Sequence, residues 1–519
     1  MESGKAISRD DISGCGNSEQ HTRGYLLAEN RAVWTFYVLA LLVSISTWLI
    51  GIRAPLRVDE TGTYWQIGAG FAGIWPRQFI SLSFPTYSYI LWLSTKLIGS
   101  SELALRIPSV VAMLGAAYLF YLAARELIGQ EFAIIATIIF SLNPFIIFEA
   151  IDIRPYGFAV LFTNAAILVL LRLRKSQSNW LAVLFGLLAA VIVSLHYLFA
   201  AILPAFFLCL IAFKVHDRKA LLRQCGVALA AFTLAFVPMV PGLQYLFRTA
   251  SSHVCAPNPT LGDLFVTFIP VWLVPAAALT ALFAVATTRS IPRVHLGRWR
   301  ILLCGSLAVI PTLILYGVTV TTSLNVFSAT YHRLSAIPGM SLLLAMALYR
   351  FRSSSVRIVF CSAYAVITLG SCLWNPVIKQ HSYSWKYALQ IVQENTQADN
   401  APVVMCSNHI ESNYTTMPVG SAKTSLYFAP LSYYRLTAPV IPLPETLNDE
   451  TARVFLPFLK ESEQKHERFL AIGHSYSYKT LDWIIENASG AYTVRTLGVY
   501  DEVKVLEFVP RDSPANRER

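Results

Sequence analysis

Two adjacent carboxylates, Asp59 and Glu60, stand just past the first long apolar segment of the chain, Trp34 to Ile50. A third acid, Asp152, occupies the same kind of position between two later apolar segments. An unpaired charge at the mouth of a membrane span costs several kcal/mol, roughly 2.5–3.5 on insertion scales, unless it has a function or a partner. Acids gathered on one face of a membrane therefore indicate a reaction at that face.

Carboxylates in such a place suit general-base catalysis on an acceptor hydroxyl. If the donor is a sugar on a lipid phosphate, the departing phosphate needs cationic stabilisation and no proton donor. Arg57, Arg77 and Arg154 each offer the bidentate geometry that binds a phosphate. A structural alternative pairs Arg154 with Asp152. It likewise pairs Arg57 with Asp59 to ease the burial of each charge, and the two interpretations are compatible.

The composition is that of a membrane protein with many spans. Of the 519 residues, 55% are hydrophobic and only 14% are charged, and the mean hydropathy is +0.52. A soluble domain of this size could not bury so much apolar surface, so the predicted fold class is a polytopic α-helical membrane protein. Residues 1–32 are polar and of mixed charge, which predicts a disordered cytoplasmic tail before an uncleaved first span.

Eleven apolar runs define the expected transmembrane domain, residues 33–373. They fall near 33–52, 107–126, 131–149, 157–171, 180–197, 199–213, 222–241, 264–286, 301–321, 333–349 and 357–373. With the N-terminus inside, eleven spans place every basic cluster in the cytoplasm, as the positive-inside rule favours. These clusters are Arg172/Arg174/Lys175, Lys214/Arg218/Lys219/Arg223, Arg289/Arg293/Arg298/Arg300 and Arg350/Arg352/Arg357. The first outer loop is then 53–106.

The number of spans depends on the segment 84–99. It is short and interrupted by Pro85 and Lys96, which favours a helix lying in the membrane interface. If it crossed the bilayer there would be twelve spans, and Arg125 and all later basic clusters would face outward. The net charge of +11 mostly reflects the cytoplasmic bias, and no RNA- or DNA-binding motif is present. Membrane lipids are expected as partners and nucleic acid is not.

From Trp374 onward the composition changes to that of a soluble domain. The segments 401–406 and 468–473 are typical of short buried strands, and Trp385 to Glu394 is typical of a helix. Residues 374–519 are therefore predicted to form an α/β domain. An odd number of spans places it outside the cytoplasm.

No cofactor is expected. The eight cysteines show no Cys-x-x-Cys spacing, although one disulfide could form among those on the oxidising side, with the pairing left open. These are Cys255, Cys372 and Cys406. A divalent metal is conceivable at three histidines near span ends, but histidines at such positions are more often packed or hydrogen-bonded. They are His196, His253 and His332.

Several motifs in order resemble those of the GT-C superfamily, integral membrane glycosyltransferases that use polyprenyl-phosphate sugars as donors. Asp59-Glu60 resembles the acidic motif of their first outer loop. The others are Ser83 to Tyr89 with Leu97-Ile98-Gly99, similar to a Pro-Pro-Leu-Tyr-Tyr segment with its Leu-Phe-Gly end; Glu102 to Ser109, similar to an Arg-Leu-Pro-Ser element; Arg125 to Gly129; and Ala150 to Tyr156, similar to Gln-Glu-Ala-Arg-x-Tyr. The set covers about residues 33–175. It is most similar to the bacterial relatives of protein O-mannosyltransferases and lipid A aminoarabinose transferases.

The resemblance implies a role for each acid. Asp59 would be the catalytic base or would orient the acceptor hydroxyl, with Glu60 supporting it. Asp152 would be the second acid where donor and acceptor meet. Arg154 would contact a phosphate or carboxylate, and the expected outcome is inversion at the anomeric carbon.

The remaining predicted substrate-binding residues are Arg57, Tyr87, Tyr156 and Arg333. Arg333 stands near the position where relatives often carry Arg-Tyr before a Pro, but it is displaced from it. Ser83 departs from the His or Lys that often precedes the Pro-Pro-Leu-Tyr segment. That departure leaves the donor-phosphate contact at this position open.

The sequence thus predicts transfer of a sugar from a polyprenyl phosphate to a lipid, glycan or protein acceptor on the outer face of the cytoplasmic membrane. A transporter or flippase of lipid-linked sugars is the alternative, but it predicts inverted repeats and polar groups at mid-membrane. A catalytically dead scaffold is a third possibility, against which the retained Asp59, Asp152 and Arg154 argue. Neither the sugar nor the acceptor follows from the sequence.

Overall fold

The computed structural model is mostly helical, with one small sheet near the C-terminus. It describes residues 15–512 apart from 82, 177, 213–217, 250–257, 288–296, 323, 329, 350, 352, 375–383, 418–419 and 421. The α-helices of this part are α1 (Cys15–Ser46), α2 (Val58–Ile67), α3 (Gly70–Ser81), α4 (Thr86–Ile98), α5 (Glu102–Ile128), α6 (Gln130–Ser141), α7 (Pro144–Glu149), α8 (Tyr156–Lys175), α9 (Asn179–Leu195), α10 (Leu203–Ala212), α11 (Arg218–Phe236), α12 (Val240–Thr249), α13 (Leu261–Phe268), α14 (Leu273–Thr287), α15 (Arg298–Thr321), α16 (Ile337–Leu348), α17 (Ser354–Trp374), α18 (Trp385–Thr396), α19 (Pro430–Tyr433), α20 (Asp449–Lys465) and α21 (Tyr478–Ala488).

Several of these helices are long and apolar enough to cross a membrane. In the described part of the chain, six meet both conditions: Arg31–Leu49, Glu102–Ile128, Tyr156–Lys175, Lys219–Thr249, Arg298–Thr321 and Ser354–Cys372. A seventh span forms if α13 and α14, bent by 49° at their junction, are taken together. Four shorter apolar helices are Gln130–Ser141, Asn179–Leu195, Tyr197–Ile211 and His332–Leu348. Each of the eleven predicted apolar runs overlaps one of these segments, so the predicted fold class is confirmed.

The structure also bears on the segment 84–99 and on the predicted N-terminal tail. α4, on which a twelfth span depended, is not one of these apolar helices and packs against α2, α3 and α5. α1 begins at Cys15, inside the segment predicted as a tail, and residues 1–14 lie outside the described residues.

The apolar run 131–149 folds as two helices because its middle carries a helix start signal. Asn143 caps α7 with its side chain, which accepts a hydrogen bond from the Phe145 backbone N–H at 3.0 Å. Pro144 occupies the first turn of α7, where the missing N–H costs nothing. α6 therefore ends at Ser141, and α7 belongs to the loop 142–155 that leads to α8.

α5 and α8 run parallel and in register, which brings their first residues together. The Asn164 side chain donates a hydrogen bond to the Ala116 carbonyl at 2.9 Å. One heptad earlier in both helices, a Cβ added to Gly157 would lie 3.1 Å from the Ser109 carbonyl oxygen. A close contact of the same kind joins α9 and α11, where a Cβ on Gly186 would meet the oxygen of Ala228. The loops that precede α5 and α8 consequently share one end of the bundle.

The C-terminal region is an α/β unit around a five-stranded sheet. Its strands are β1 (Val403–Cys406), β2 (Val440–Leu443), β3 (Phe469–His474), β4 (Tyr492–Tyr500) and β5 (Val503–Pro510), in the order β2-β1-β3-β5-β4. β2, β1 and β3 are parallel, whereas β5 pairs antiparallel with β3 and β4 pairs antiparallel with β5. β1 and β3 are buried along their whole length, as expected of central parallel strands. The two strands and the helix predicted here are present as β1, β3 and α18.

The α/β unit packs directly on α2 and on the start of α5. Tyr434 carries the contact: its hydroxyl accepts from the Leu56 backbone N–H at 2.7 Å and donates to Glu102 at 2.8 Å. Lys386 pairs with the other oxygen of Glu102 at 3.0 Å. On α2, the Trp65 indole N–H donates to the Thr424 carbonyl at 2.7 Å. These partly buried polar contacts fix the orientation of the unit on the helix bundle.

Candidate active site

The predicted acids come together where two segments meet at one end of the bundle. The first segment is the start of α2, which follows α1, and the second is the loop 149–156 that leads into α8. α5 and α8 begin side by side, and Arg106 near the start of α5 holds the chain just before α2 by donating to the Ala54 and Pro55 carbonyls. This places Asp152 beside Arg57. The distance between the Arg57 Nη2 and the Asp152 Oδ2 is 2.5 Å.

The sequence suggested that Arg57 pairs with Asp59 and Arg154 with Asp152. In the structure the partners are exchanged, and we call this arrangement crossed. Arg57 binds Asp152 and stacks on Phe148 at 4.2 Å from the ring centroid. Arg154 lies near Asp59, with its guanidinium 5.8 Å from the ring of Tyr156. The crossing ties the α2 segment to the 149–156 loop.

Asp59 differs from the other two acids in being exposed. Glu60 and Asp152 are 1% and 3% exposed, whereas the side chain of Asp59 remains accessible even though protein surrounds it. It therefore lines an open recess. The surrounding protein by itself would raise the pKa of Asp59, but the positive charges of Arg154, Arg57 and His409 outweigh that effect and lower it. Asp59 is an ionised carboxylate at neutral pH.

Glu60 is enclosed by protein donors. One carboxylate oxygen accepts from the Arg57 backbone N–H at 2.8 Å and from the Arg106 guanidinium at 2.9 Å. The other accepts from the Ile153 backbone N–H at 3.2 Å. The bond to Arg57 satisfies an N–H at the start of α2, where an acid is also favoured by the helix dipole. Glu60 thus joins α2, α5 and the 149–156 loop.

Arg106 is a site residue to which sequence analysis assigned no role, although it lies in the Glu102 to Ser109 motif. Its side chain is completely buried. Besides Glu60, it donates to the carbonyls of Ile52 at 3.0 Å, Ala54 at 2.6 Å and Pro55 at 3.2 Å. Arg106 therefore fixes the chain between α1 and α2, which places Arg57 and Asp59.

Glu149 is a second residue that the sequence did not single out. It ends α7, is 1% exposed and lies next to Asp152. Burial and the charge of Asp152 raise the pKa of Glu149 well above its usual range. Sequence analysis passed over Glu149 because it is the last residue of the apolar run 131–149.

The remaining predicted residues are distributed differently. Tyr156 and Tyr87 are buried beside the site; the Tyr87 hydroxyl lies 3.4 Å from the Ser109 hydroxyl, and the ring of Tyr156 is 5.2 Å from that of His196. Arg333 is not brought to Asp59: it donates to Thr267 and stacks on two rings. These rings belong to Phe327, at 4.8 Å, and Phe145, at 5.6 Å.

Two more positions singled out in the sequence have structural contacts. Arg77 stacks on the Trp65 ring at 4.2 Å and donates to the Trp65 carbonyl, so it secures the end of α2. Ser83 donates to the Gln66 side chain at 3.2 Å and holds α2 near α4. Neither contact involves the three acids.

No metal centre is found within the described ranges, because no group of three or more His, Cys, Asp and Glu side chains is arranged to hold an ion. The rings of His196 and His332 are tilted by 43° to each other, with their centroids 5.5 Å apart. Cys372 and Cys406 are free thiols. His253 and Cys255 lie outside the described residues.

A match to a protein family covers part of this region. Residues 83–245 match the family model described as dolichyl-phosphate-mannose-protein mannosyltransferase. No curated protein matches the sequence.

The fold is similar to that of known glycosyltransferases. The apo crystal structure of ArnT from Cupriavidus metallidurans has a TM-score of 0.53 at 12% identity, over 92% of this chain and 98% of that chain. The structure of the same protein bound to undecaprenyl phosphate has a TM-score of 0.51 at 12% identity, over 91% and 97%. The oligosaccharyltransferase of Archaeoglobus fulgidus has a TM-score of only 0.46 at 11% identity, over 84% and 69%. With the family match, the ArnT likeness confirms the resemblance to the GT-C superfamily and gives the transporter alternative no support.

Proposed function

We propose that this chain is a membrane glycosyltransferase that moves one sugar, with inversion, from a polyprenyl phosphate to an acceptor hydroxyl. The observation that carries the proposal is the exposed carboxylate of Asp59, which lies near enough to the guanidinium groups of Arg57 and Arg154 to be stabilised by their charges. A recess with an ionised acid and two cations matches the needs of a hydroxyl nucleophile and a phosphate leaving group. The polyprenyl carrier is inferred from the matched family and from the undecaprenyl phosphate bound to ArnT.

Asp59 is the residue to which we assign the role of base. The acceptor oxygen attacks the anomeric carbon while its proton passes to the Asp59 carboxylate, and the carbon–oxygen bond to the phosphate breaks. The bonding electrons leave with the phosphate, which gains the negative charge. A donor phosphate seated at Arg57 and Arg154 offsets their positive charge, so it would make Asp59 a stronger base only when the donor is bound.

Arg57 and Arg154 are the proposed phosphate ligands. Each keeps a buried Nε without a hydrogen-bond partner among the described residues, which leaves donor capacity for a bound anion. Asp152 is proposed to act through Arg57, whose guanidinium it holds at 2.5 Å. The hydrogen-bond donors to the Glu60 carboxylate all come from the protein. We therefore assign Glu60 the role of holding α2 in place, in support of Asp59, and no direct part in the reaction.

The proposed orientation places the site on the outer face of the cytoplasmic membrane, with the N-terminus inside and residues 374–519 outside. The basic clusters between the apolar runs support it. The acceptor is a lipid, a glycan or a protein. Tyr87 and Tyr156 are proposed to contribute to the donor side of the recess because they are buried beside Asp152 and Arg154.

The proposal is tested in two steps. Native mass spectrometry of the detergent-purified chain is expected to show a co-purifying polyprenyl phosphate or its sugar conjugate, which then serves as the donor. Asp59→Asn and Asp152→Asn should abolish transfer and leave the folded protein intact, whereas Asp482→Asn, at an exposed position on α21, should not change it. Near-normal turnover by both site variants would refute the proposal.

A further inference from the structure

One residue of the C-terminal α/β unit faces the proposed base. His409 follows the end of β1, and a Cβ added to Gly62 on α2 would lie 3.9 Å from its Cε1. Gly62 and Asp59 are three residues apart, so they share one face of α2. The imidazole therefore lies against the helix face that carries Asp59, and only 16% of its side chain is exposed.

The backbone at His409 is held by a tight turn. The Ser407 hydroxyl accepts from the His409 backbone N–H at 3.1 Å and donates to the Tyr427 carbonyl at 2.9 Å. The Nδ1 of the His409 ring lies 3.8 Å from a carboxylate oxygen of Glu411. Glu411 therefore lies close enough to form an ion pair with the ring when the imidazole is charged.

The charges around this contact come from three parts of the fold. Arg57 and Arg154 approach Asp59 from the helical bundle, and His409 approaches it from the α/β unit. His409 in turn faces Glu411 and the buried His474. All three cations lower the pKa of Asp59, but His409 is the only one of the three that the α/β unit supplies.

We propose that His409 is a positioning residue for Asp59: its imidazolium, held by Glu411, keeps the Asp59 carboxylate ionised and turned into the recess. The site is then shared between the helical bundle and the α/β unit. The catalytic meaning of this contact rests on the proposed function. The contact itself does not, so the two are tested separately.

The test measures the proton affinity of Asp59 without any substrate. An uncharged carbodiimide, N,N′-diisopropylcarbodiimide, reacts with protonated carboxyls, and added methylamine converts the product to a methylamide as the reagent takes up the elements of water. The full-length protein is labelled in detergent at about pH 5.5, where an ordinary imidazole is charged. Tandem mass spectrometry then gives the initial rate at Asp59 relative to the exposed Asp482.

Two variants separate charge from shape. In His409→Gln the cation is gone but the side chain remains polar and of similar size. Labelling of Asp59 should then rise roughly tenfold, because a rise of about one in the pKa of Asp59 makes its protonated form about ten times more abundant. In His409→Lys a cation is retained, and the rate should return to within threefold of the wild type. A rise below threefold in His409→Gln, or an equal rise in both variants, would overturn the proposal. If Asp59→Asn turned over normally while His409→Gln still raised the labelling of Asp59, the proposed function would be refuted. The contact between His409 and Asp59 would still be supported.

Discussion

Replacing Arg106 with methionine should destabilise the protein more than any other single change in this region of the site. Arg106 is completely buried and donates to Glu60 and to the carbonyls of Ile52, Ala54 and Pro55. Methionine has a similar length and can occupy the space, but it donates no hydrogen bond. The carboxylate of Glu60, 1% exposed, then loses its cation.

The magnitude follows from that loss. Removing one partner of a buried ion pair typically costs about 3–5 kcal/mol, because the other charge stays buried and unpaired. The double variant Arg106→Met/Glu60→Gln removes both charges, so it should be more stable than Arg106→Met alone. The two substitutions should therefore be non-additive by roughly 2 kcal/mol, within the range known for residues in direct contact.

The assay is thermal unfolding of the detergent-purified variants, followed by tryptophan fluorescence. Arg172→Met is the matched control, since Arg172 is more than half exposed and lies 3.6 Å from Glu126. Its loss should cost less than about 1 kcal/mol. If Arg106→Met unfolded at the same temperature as Arg172→Met, or if adding Glu60→Gln lowered the midpoint further by its full single effect, the assignment of Arg106 as the anchor would be wrong.

Two further predictions concern packing and pH. Gly186→Ala should lower the unfolding midpoint, because the new methyl group would collide with the Ala228 carbonyl on α11. Overpacking of this kind costs about 1–3 kcal/mol. The control Gly305→Ala has open space around it and should be tolerated. Burial raises the pKa of Glu445 from 4.5 to about 7, so its folded form binds the proton more tightly than its unfolded form, and the stability this contributes below pH 4.5 is lost as the pH rises through 7. Glu445→Gln should accordingly match the wild type near pH 4.5 and exceed it by up to roughly 3 kcal/mol above about pH 8, as followed by tryptophan fluorescence; an equal gain at both pH values would contradict this.

The sequence predicted the large elements well because their signals are local. Apolar runs long enough for a membrane give helices, and the continuous apolar segments 401–406 and 468–473 give β1 and β3. The acids Asp59 and Asp152 were also found from their positions at the ends of apolar runs. Such signals need only the residues themselves and their immediate neighbours.

The site contacts were harder to predict because they join distant parts of the chain. The crossed pairing of Arg57 with Asp152 depends on α5 and α8 lying parallel, which no single segment encodes. Arg106 stood within a motif, but its partners lie near the end of α1 and the start of α2. His409 belongs to a unit whose placement on α2 is decided by tertiary contacts, and nothing in its local sequence points to Asp59.

The position of α2 between the bundle and the α/β unit has a consequence for engineering hybrid enzymes. Trp65 binds the Thr424 carbonyl, and Leu56 is held by Tyr434, so the unit recognises residues far before its own beginning in the sequence. A hybrid made by exchanging only the C-terminal part with that of a relative would have to form both bonds anew across the junction. A stable exchange of the α/β unit should therefore require the transfer of two separated stretches, α2 together with the unit.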